Sequence, residues 1–267
     1  MLDRGHGSPI VLIPGIQGRW EWMAPAVEAL SREHRVLSGS LEELGKVDVP
    51  ERAFEGWFEG IDSLLDRAGV GQAVMAGVSF GGLIAAGYAA ARPDRVSGLV
   101  LICPPAPRWC ADHPAAAYLR NPRLSVPQFA AGAVGRLLPE VRAAKAGWLS
   151  RAWFFARHLG RILRYPASPT QMAARVHAWM ATDVIAACRR VTAPTLVVTG
   201  EPGLDRVVPI SASLEYLSLI RGARHQILDR TGHIGLITRP SEFAALIASF
   251  VVESRPAASP ATVNSAG

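Results

Sequence analysis

Gly77-Val78-Ser79-Phe80-Gly81-Gly82 is the stretch that decides the fold of this 267-residue chain. It follows an apolar run that begins at Ala73 and leads into an alanine-rich segment that ends at Ala91. A G-x-S-x-G sequence between a buried strand and a helix predicts a strained turn that holds the serine hydroxyl out at the end of the strand. The outer glycines are needed because a Cβ at either position would crowd the turn. The alternative is an ordinary glycine-rich turn with an incidental serine.

Strand and helix patterns alternate on both sides of this turn. Short aliphatic runs, three of the six closed directly by glycine or proline, are typical of buried parallel strands. They lie at residues 10–13, 35–37, 73–78, 99–103, 195–199 and 226–228. Segments with helical spacing separate them, at residues 20–30, 54–68, 80–91, 211–220 and 241–252. The pattern predicts an α/β fold with a mainly parallel central sheet flanked by helices.

The alternation lapses in the middle of the chain. Residues 105–190 read as mostly helical and carry thirteen Lys/Arg against three Asp/Glu, whereas the rest of the chain is net acidic. Because active sites gather at the carboxyl ends of parallel strands, an insertion at this point predicts a helical cap over the site. We therefore predict a core of residues 1–104 and 191–253, a cap of residues 105–190, and a disordered tail of residues 254–267.

Composition excludes several classes of protein. Apolar residues make up 49% and charged residues 19%, an ordinary globular balance that argues against disorder. No apolar run is long enough for a transmembrane helix, and the first residues lack the apolar core of a secretory signal. Three cysteines without metal-ligand spacing favour a reduced, cytoplasmic protein. The sequence shows no zinc pattern and no phosphate-binding loop, so we expect neither a metal nor a cofactor.

A serine hydroxyl needs a base to act as a nucleophile, and the base needs a carboxylate that fixes its tautomer. Among seven histidines the candidate base is His233, in a glycine-flanked loop after the last predicted strand. The candidate carboxylate is Asp205, which follows the strand at 195–199, and Glu201 in the same loop is its rival. The chain order Ser, acid, His is the one that the serine motif predicts. The alternative for His233 is a surface histidine without a role.

An oxyanion on the substrate needs two backbone N–H donors. The N–H of Phe80 lies at the start of the helix after Ser79, where the positive end of the helix dipole also favours negative charge. The second candidate is the N–H of Ile16, in the loop Pro14-Gly15-Ile16-Gln17-Gly18 after the first predicted strand. The alternative for this loop is an ordinary glycine turn.

Together these motifs resemble the α/β-hydrolase superfamily over residues 5–252. The resemblance rests on the Ser79 turn, the D-x-V-V-P stretch at Asp205 and the G-H-x-G stretch at His233. It implies an eight-stranded sheet with the cap inserted after strand six. Serine at position 79 differs from the aspartate of epoxide hydrolases and haloalkane dehalogenases. Pro14-Gly15 stands where the family usually has His-Gly.

The resemblance further implies a serine hydrolase without a cofactor. Members similar to this chain include small esterases, monoacylglycerol lipases, lactonases, carbon–carbon bond hydrolases and haloperoxidases. We expect cleavage of a small apolar carboxylic ester through an acyl-enzyme, with a lactonase or carbon–carbon hydrolase as the alternative. The alternative from a different functional class is a protein of this fold that binds a ligand without catalysing a reaction.

One segment of the predicted cap is amphipathic. Helical spacing gathers apolar residues on one side of it, namely Trp148, Ala152, Phe155, Leu159, Ile162 and Leu163. Basic residues gather on the other side, namely Arg151, Arg157, His158, Arg161 and Arg164, while Trp153 and Phe154 fall outside the apolar stripe. Such a helix can contact a lipid or another anionic surface. The alternative is that its apolar side covers the acyl pocket while its arginines are solvated. No nucleic-acid module accompanies the basic charge, so nucleic-acid binding is not expected.

Overall fold

The structure is a computed structural model that describes residues 1–45, 49–108 and 118–254. The predicted tail therefore lies outside the described residues except for Ser254, as does the part of the predicted cap at residues 109–117. The boundaries of core, cap and tail stay predictions.

A seven-stranded sheet forms the centre of the described fold. Its strands are β1 (Leu2–Arg4), β2 (Pro9–Ile13), β3 (Arg35–Ser38), β4 (Ala73–Val78), β5 (Val96–Ile102), β6 (Thr195–Thr199) and β7 (Arg224–Ile227). The spatial order is β1-β3-β2-β4-β5-β6-β7, and every pair is parallel except β1 with β3. The predicted α/β class with a mainly parallel sheet is thus confirmed.

Helices cover both faces of this sheet. They are α1 (Ala24–Leu30), α2 (Leu41–Leu44), α3 (Ala53–Arg67), α4 (Phe80–Ala91), α5 (Val126–Ala144), α6 (Trp148–Arg164), α7 (Pro169–Met180), α8 (Val184–Arg190), α9 (Ile210–Leu219), α10 (Gly235–Thr238) and α11 (Pro240–Glu253). Within the described ranges, none of them has the length and apolar character that crossing a bilayer requires.

Burial on both faces explains why the strands read as continuous aliphatic runs. Along β2, Val11 and Ile13 face one hydrophobic cluster, whereas Ile10 and Leu12 face the other. A half-exposed strand would alternate apolar and polar residues, so a continuous run requires cover on each side. The edge strand β1 is polar and largely exposed, which is why its sequence did not indicate a strand.

Helices α5 to α8 lie between β5 and β6 in the chain. The resemblance placed the insertion after a sixth strand, but counted among the described residues it follows the fifth. The family count of eight includes one strand more than the seven described here. The carboxyl ends of β2, β4, β5, β6 and β7 all point to one edge of the sheet because these strands are parallel.

Glycine permits a close approach between α2 and α3. A Cβ on Gly60 would overlap the Leu44 carbonyl group. Gly60→Ala is therefore expected to lower the free energy of unfolding by about 1–3 kcal/mol, measured by urea denaturation. The matched control is Gly160→Ala inside α6, where a Cβ meets nothing within 4 Å. Alanine there should raise stability by up to about 1 kcal/mol, and equal losses in both variants would contradict the packing argument.

Candidate active site

Ser79 occupies a sharp turn between β4 and α4. Its φ of 52° and ψ of −120° lie outside the common regions for a residue with a side chain. Its N–H donates to the Ile102 carbonyl at 2.7 Å, and its carbonyl accepts from the Gly82 N–H at 2.8 Å. Backbone hydrogen bonds to the end of β5 and to the first turn of α4 therefore hold this turn. Ser79 itself is half-buried.

The glycines beside Ser79 allow this geometry. A Cβ on Gly77 would overlap the Gly81 carbonyl, and a Cβ on Gly81 would lie 2.5 Å from the carbonyl oxygens of Ile13 and Pro14. These distances confirm that the turn requires glycine at both positions. A Cβ on Gly15 would lie 3.5 Å from the Ser79 Cβ, so the loop after β2 lies directly beside the serine.

Asp205 and His233 form a hydrogen-bonded pair at the same sheet edge. His233 Nδ1 lies 3.1 Å from Asp205 Oδ2. The other carboxylate oxygen, Oδ1, accepts the N–H groups of Val207 and Val208, each at 2.9 Å. The Asp205 side chain is 2% exposed and that of His233 is 12% exposed. Both carboxylate oxygens of Asp205 thus have hydrogen-bond partners, and Oδ2 orients the imidazole ring.

Two opposing effects set the pKa of Asp205. Burial raises the pKa of this carboxyl, but the hydrogen bond and charge of His233 and the N–H donors of Val207 and Val208 lower it, and the net shift is downward. The folded structure therefore favours the ionised carboxylate, the form that can hold an imidazole in one tautomer.

Glu201, the rival acid, has a different partner. Its Oε1 accepts the backbone N–H of Arg230 at 2.6 Å, and its own N–H donates to the Thr231 carbonyl at 2.8 Å. Glu201 therefore shapes the loop that leads to His233, whereas Asp205 contacts the ring itself.

The acid loop after β6 and the histidine loop after β7 touch at their backbones. A Cβ on Gly232 would lie 2.5 Å from the Leu204 carbonyl oxygen, and a Cβ on Gly200 would overlap the Thr231 carbonyl. Cys103, which follows β5, donates its thiol to the Gly232 carbonyl at 3.6 Å. These close approaches bring Asp205 within reach of His233 although 28 residues separate them in the chain.

Ser79 and His233 are not hydrogen-bonded to each other within the described part of the chain. Both follow carboxyl ends of strands at one edge of the sheet, which is the placement that the motif requires. Catalytic hydrogen bonds are often long without substrate and tighten when it binds. The catalytic roles of Ser79, Asp205 and His233 stay predictions.

The Ile16 loop is held in place by Arg175 of α7. The guanidinium donates from Nη1 to the Ile16 carbonyl at 2.6 Å and from Nη2 to Glu42 Oε1 at 2.5 Å. Gly18 leaves room for it, since a Cβ there would lie 2.5 Å from Nη1. Arg175 is 1% exposed, and burial lowers its pKa although Glu42 favours the charged form. Within the described ranges the N–H groups of Ile16 and Phe80 have no protein acceptor.

Glu140 of α5 holds the His233 loop from the other side. Its Oε2 accepts the Ile234 N–H and its Oε1 accepts the Thr238 hydroxyl, each at 3.0 Å. Only 1% of the residue is exposed, and burial raises its pKa although these hydrogen bonds favour the ionised form. Sequence analysis did not identify Glu140 or Arg175. The available signal for Glu140 was that it is the single acid between residues 113 and 182 of the predicted cap.

One group of side chains resembles a metal-ligand set. Ligand atoms of Cys103, Asp205 and His233 lie within 4.8 Å of one another. The carboxylate and the ring are already bonded to each other, however, and burial with the nearby charges of Asp205 and Glu140 raises the pKa of the Cys103 thiol well above its usual value. A protonated thiol is a poor metal ligand, so the donor set fits a hydrogen-bonded pair better than a metal centre.

A mainly parallel α/β sheet with a G-x-S-x-G turn and an Asp–His pair at one edge is typical of the α/β hydrolases. Residues 8–240 match the family model described as alpha/beta hydrolase fold, and the chain belongs to this family.

Several proteins similar to this chain are named for a hydrolytic reaction. The 2-hydroxymuconate semialdehyde hydrolase of Pseudomonas sp. (strain CF600) is 27% identical, and the alignment covers 96% of this chain and 91% of that protein. RutD of Stutzerimonas stutzeri (strain A1501), named for carbamate hydrolysis, is 24% identical and covers 91% of each chain. The enol-lactonase from Burkholderia xenovorans LB400 has the same fold, with a TM-score of 0.72, 22% identity and coverage of 94% and 95%.

The contacts of Glu140 predict a stability effect at the His233 loop. Glu140→Leu removes both acceptors and leaves the Ile234 N–H unpaired, so we expect the free energy of unfolding to fall by about 1–3 kcal/mol. Glu140→Gln is the matched control because its amide can accept from Ile234 N–H and donate to the Thr238 hydroxyl. Urea denaturation of both variants measures the difference, and equal stability of the two would show that these hydrogen bonds contribute little.

Proposed function

We propose that this hydrolase cleaves a carboxylic ester through an acyl-enzyme on Ser79. The observation that carries the proposal is the strained serine turn at the sheet edge that also holds the buried Asp205–His233 pair. A hydroxyl nucleophile, an imidazole base and a carboxylate that orients the base are the groups that acyl transfer needs.

Acylation comes first. Ser79 Oγ attacks the ester carbonyl carbon while His233 Nε2 takes the hydroxyl proton, and Asp205 stabilises the imidazolium that forms. The N–H groups of Phe80 and Ile16 bind the oxyanion of the tetrahedral intermediate. The carbon–oxygen bond to the alcohol then breaks, and His233 returns the proton to the departing alkoxide.

Deacylation repeats these steps with water. His233 removes a proton from a water molecule, whose oxygen attacks the acyl carbon and forms a second tetrahedral intermediate in the same oxyanion site. The bond to Ser79 Oγ breaks, the serine regains its proton from His233, and the carboxylic acid leaves. Atoms and charge balance with water as the only co-reactant.

A carbon–carbon bond hydrolase is the second candidate. The relative that favours it is the 2-hydroxymuconate semialdehyde hydrolase, whose alignment covers 96% of this chain. A muconate semialdehyde contains no ester or amide bond, so its hydrolysis has to break a carbon–carbon bond. A lactonase is the remaining variant of the same chemistry, in which the leaving alcohol stays attached to the acyl group. All three reactions use the same nucleophile, so the substrate separates them.

The proposal predicts that Ser79→Ala loses nearly all turnover of p-nitrophenyl esters while folding normally. Alanine removes the nucleophile and leaves only oxyanion binding, so a loss of about a millionfold in kcat is expected. Initial rates measure turnover, and circular dichroism with thermal unfolding checks the fold. Covalent labelling of the wild type, but not of the variant, by a fluorophosphonate probe would place the nucleophile at position 79.

A substrate panel decides the bond that is cleaved. Monoacylglycerols, simple lactones and vinylogous 1,5-diketones are compared with p-nitrophenyl esters under the same conditions. Ester turnover above the others supports the proposal, while preference for the diketone supports carbon–carbon cleavage. Retained turnover in Ser79→Ala would refute the nucleophile, and absence of both labelling and turnover in the wild type would favour a non-catalytic binding protein.

The oxyanion role of Ile16 predicts that Arg175 positions the loop. Arg175→Met removes the hydrogen bond to the Ile16 carbonyl, and a loop displaced by about 1 Å is expected to lower kcat by up to a hundredfold with little change in KM. Steady-state kinetics separates kcat from KM. Glu42→Gln is the control because it weakens the ion pair but keeps the hydrogen bond to Ile16. Equal kinetic losses in both variants, or unchanged kcat in Arg175→Met, would contradict this positioning role.

A further inference from the structure

Helix α6 exposes the apolar side chains that amphipathic helices normally bury. The exposed fractions are 73% for Trp148, 66% for Leu149, 64% for Trp153, 54% for Leu159 and 73% for Leu163. We call these five residues the cap surface. No residue of α6 is fully buried. Large apolar side chains grouped at this exposure mark a surface that meets another molecule or a membrane.

A different set of α6 residues contacts the body of the protein. His158 stacks on Phe154 with ring centroids 5.9 Å apart and packs edge-on against Trp22. Burial, together with the nearby charge of Arg161, lowers the pKa of His158 to about 4. The sequence-based placement of His158 on a solvated basic side is therefore wrong. Phe154 faces inward and Trp153 outward.

The cap surface is held in a fixed orientation. The Trp22 indole N–H donates to the Tyr165 carbonyl at 2.9 Å, and Arg19 Nε donates to the Pro166 carbonyl at 3.1 Å. At the other end of α6, Arg151 donates to the carbonyl groups of Lys145 and Arg142. These bonds bind both ends of the helix, so its outer face does not turn inward without breaking them.

Excess positive charge surrounds the cap surface, and Glu28 is an acid close enough to favour the charged form of Arg161. No Asp or Glu occurs from residue 141 to residue 182, a stretch that holds seven Lys/Arg. Arg157, Arg161 and Arg164 form no salt bridge in the part of the chain that the structure describes. The Arg157 guanidinium lies 5.7 Å from the Trp153 ring centre, so charge and aromatic surface are adjacent.

We propose that the cap surface binds the face of an anionic phospholipid bilayer. Tryptophan and leucine insert at the boundary between headgroups and acyl chains, while neighbouring arginines pair with lipid phosphates. A second copy of this chain would bring the same positive charge to the contact, which opposes self-association through this face. A free polyanion would match the arginines but leave the leucines in water. The charge and the apolar groups together fit a lipid surface.

Membrane contact at this point would bring lipid close to the candidate active site. Helices α5 and α7, which flank α6 in the chain, contact the His233 and Ile16 loops through Glu140 and Arg175. The proposal concerns a peripheral contact and holds whether or not Ser79 turns over esters. Its test uses Ser79→Ala as well as the wild type, so a failure of catalysis is distinguishable from a failure of binding.

The experiment is vesicle co-sedimentation of the full chain, as the wild type and as Ser79→Ala, with phosphatidylcholine vesicles that contain or lack phosphatidylglycerol. We expect binding to the anionic vesicles that weakens at high salt, with a blue shift in tryptophan emission. Replacing Arg157, Arg161 and Arg164 by Gln should weaken binding about a hundredfold, and Trp153→Ser should weaken it several-fold. The matched control replaces the exposed Arg189, Arg190 and Arg221 by Gln, which removes the same charge elsewhere and should leave binding largely unchanged.

Several outcomes would overturn the proposal. They are equal binding to neutral and anionic vesicles, equal losses in the cap and control variants, and no effect of Trp153→Ser in a folded protein. If the protein binds heparin as tightly as vesicles, and Trp153→Ser leaves heparin binding unchanged, the surface would be assigned to a soluble polyanion. Sedimentation velocity that shows a dimer dissociated by Trp153→Ser would assign it to a second copy of the chain. Thermal unfolding of each variant confirms that it is folded.

Discussion

The close approach of the Ser79 turn to the end of β2 is the constraint on which the site depends. Gly81 lets the start of α4 meet the Ile13 and Pro14 carbonyl groups, and Gly77 lets the chain reverse at Ser79. A side chain at position 81 would push α4 away from the end of β2, where the Ile16 loop begins, and one at position 77 would push α4 away from the end of β4. The left-handed backbone of Ser79 is the cost of this packing, and it is tolerated because the surrounding backbone hydrogen bonds determine the turn.

The second level of organisation is the meeting of the loops after β6 and β7 at the same edge. Gly200 and Gly232 permit backbone contact between the loops after β6 and β7, and Asp205 then reaches His233 Nδ1. The carboxylate is buried, but it accepts two backbone N–H groups besides its contact with the ring. These hydrogen bonds offset the cost of burying the ionised form. An uncompensated carboxylate at this depth would take up a proton and lose its ability to orient the imidazole.

The segment between β5 and β6 contributes buried charge to both sides of this site. Glu140 binds the His233 loop and Arg175 binds the Ile16 loop, and each is about 1% exposed. On α6, Arg157 and Arg164 are exposed, and Arg157 lies beside the exposed ring of Trp153. One cationic segment thus has two distinct uses: paired charges that order loops beneath it, and unpaired charges that form an outer surface.

The sequence alone determined the α/β class, the parallel strands and the glycine-bound turn at Ser79, because these depend on local apolar runs and on backbone space. Chain order also pointed to Asp205 and His233 as candidates. Glu201 remained the rival acid because it is a second carboxylate in the same loop as Asp205. Tertiary structure decided that Asp205 contacts the His233 ring and that Glu201 contacts the Arg230 backbone. The packing of the two loops determines which of these carboxylates reaches the ring. Tertiary structure also decided the inward face of α6 and the burial of Glu140 and Arg175, because these follow from contacts between distant segments that leave no periodic trace in the chain.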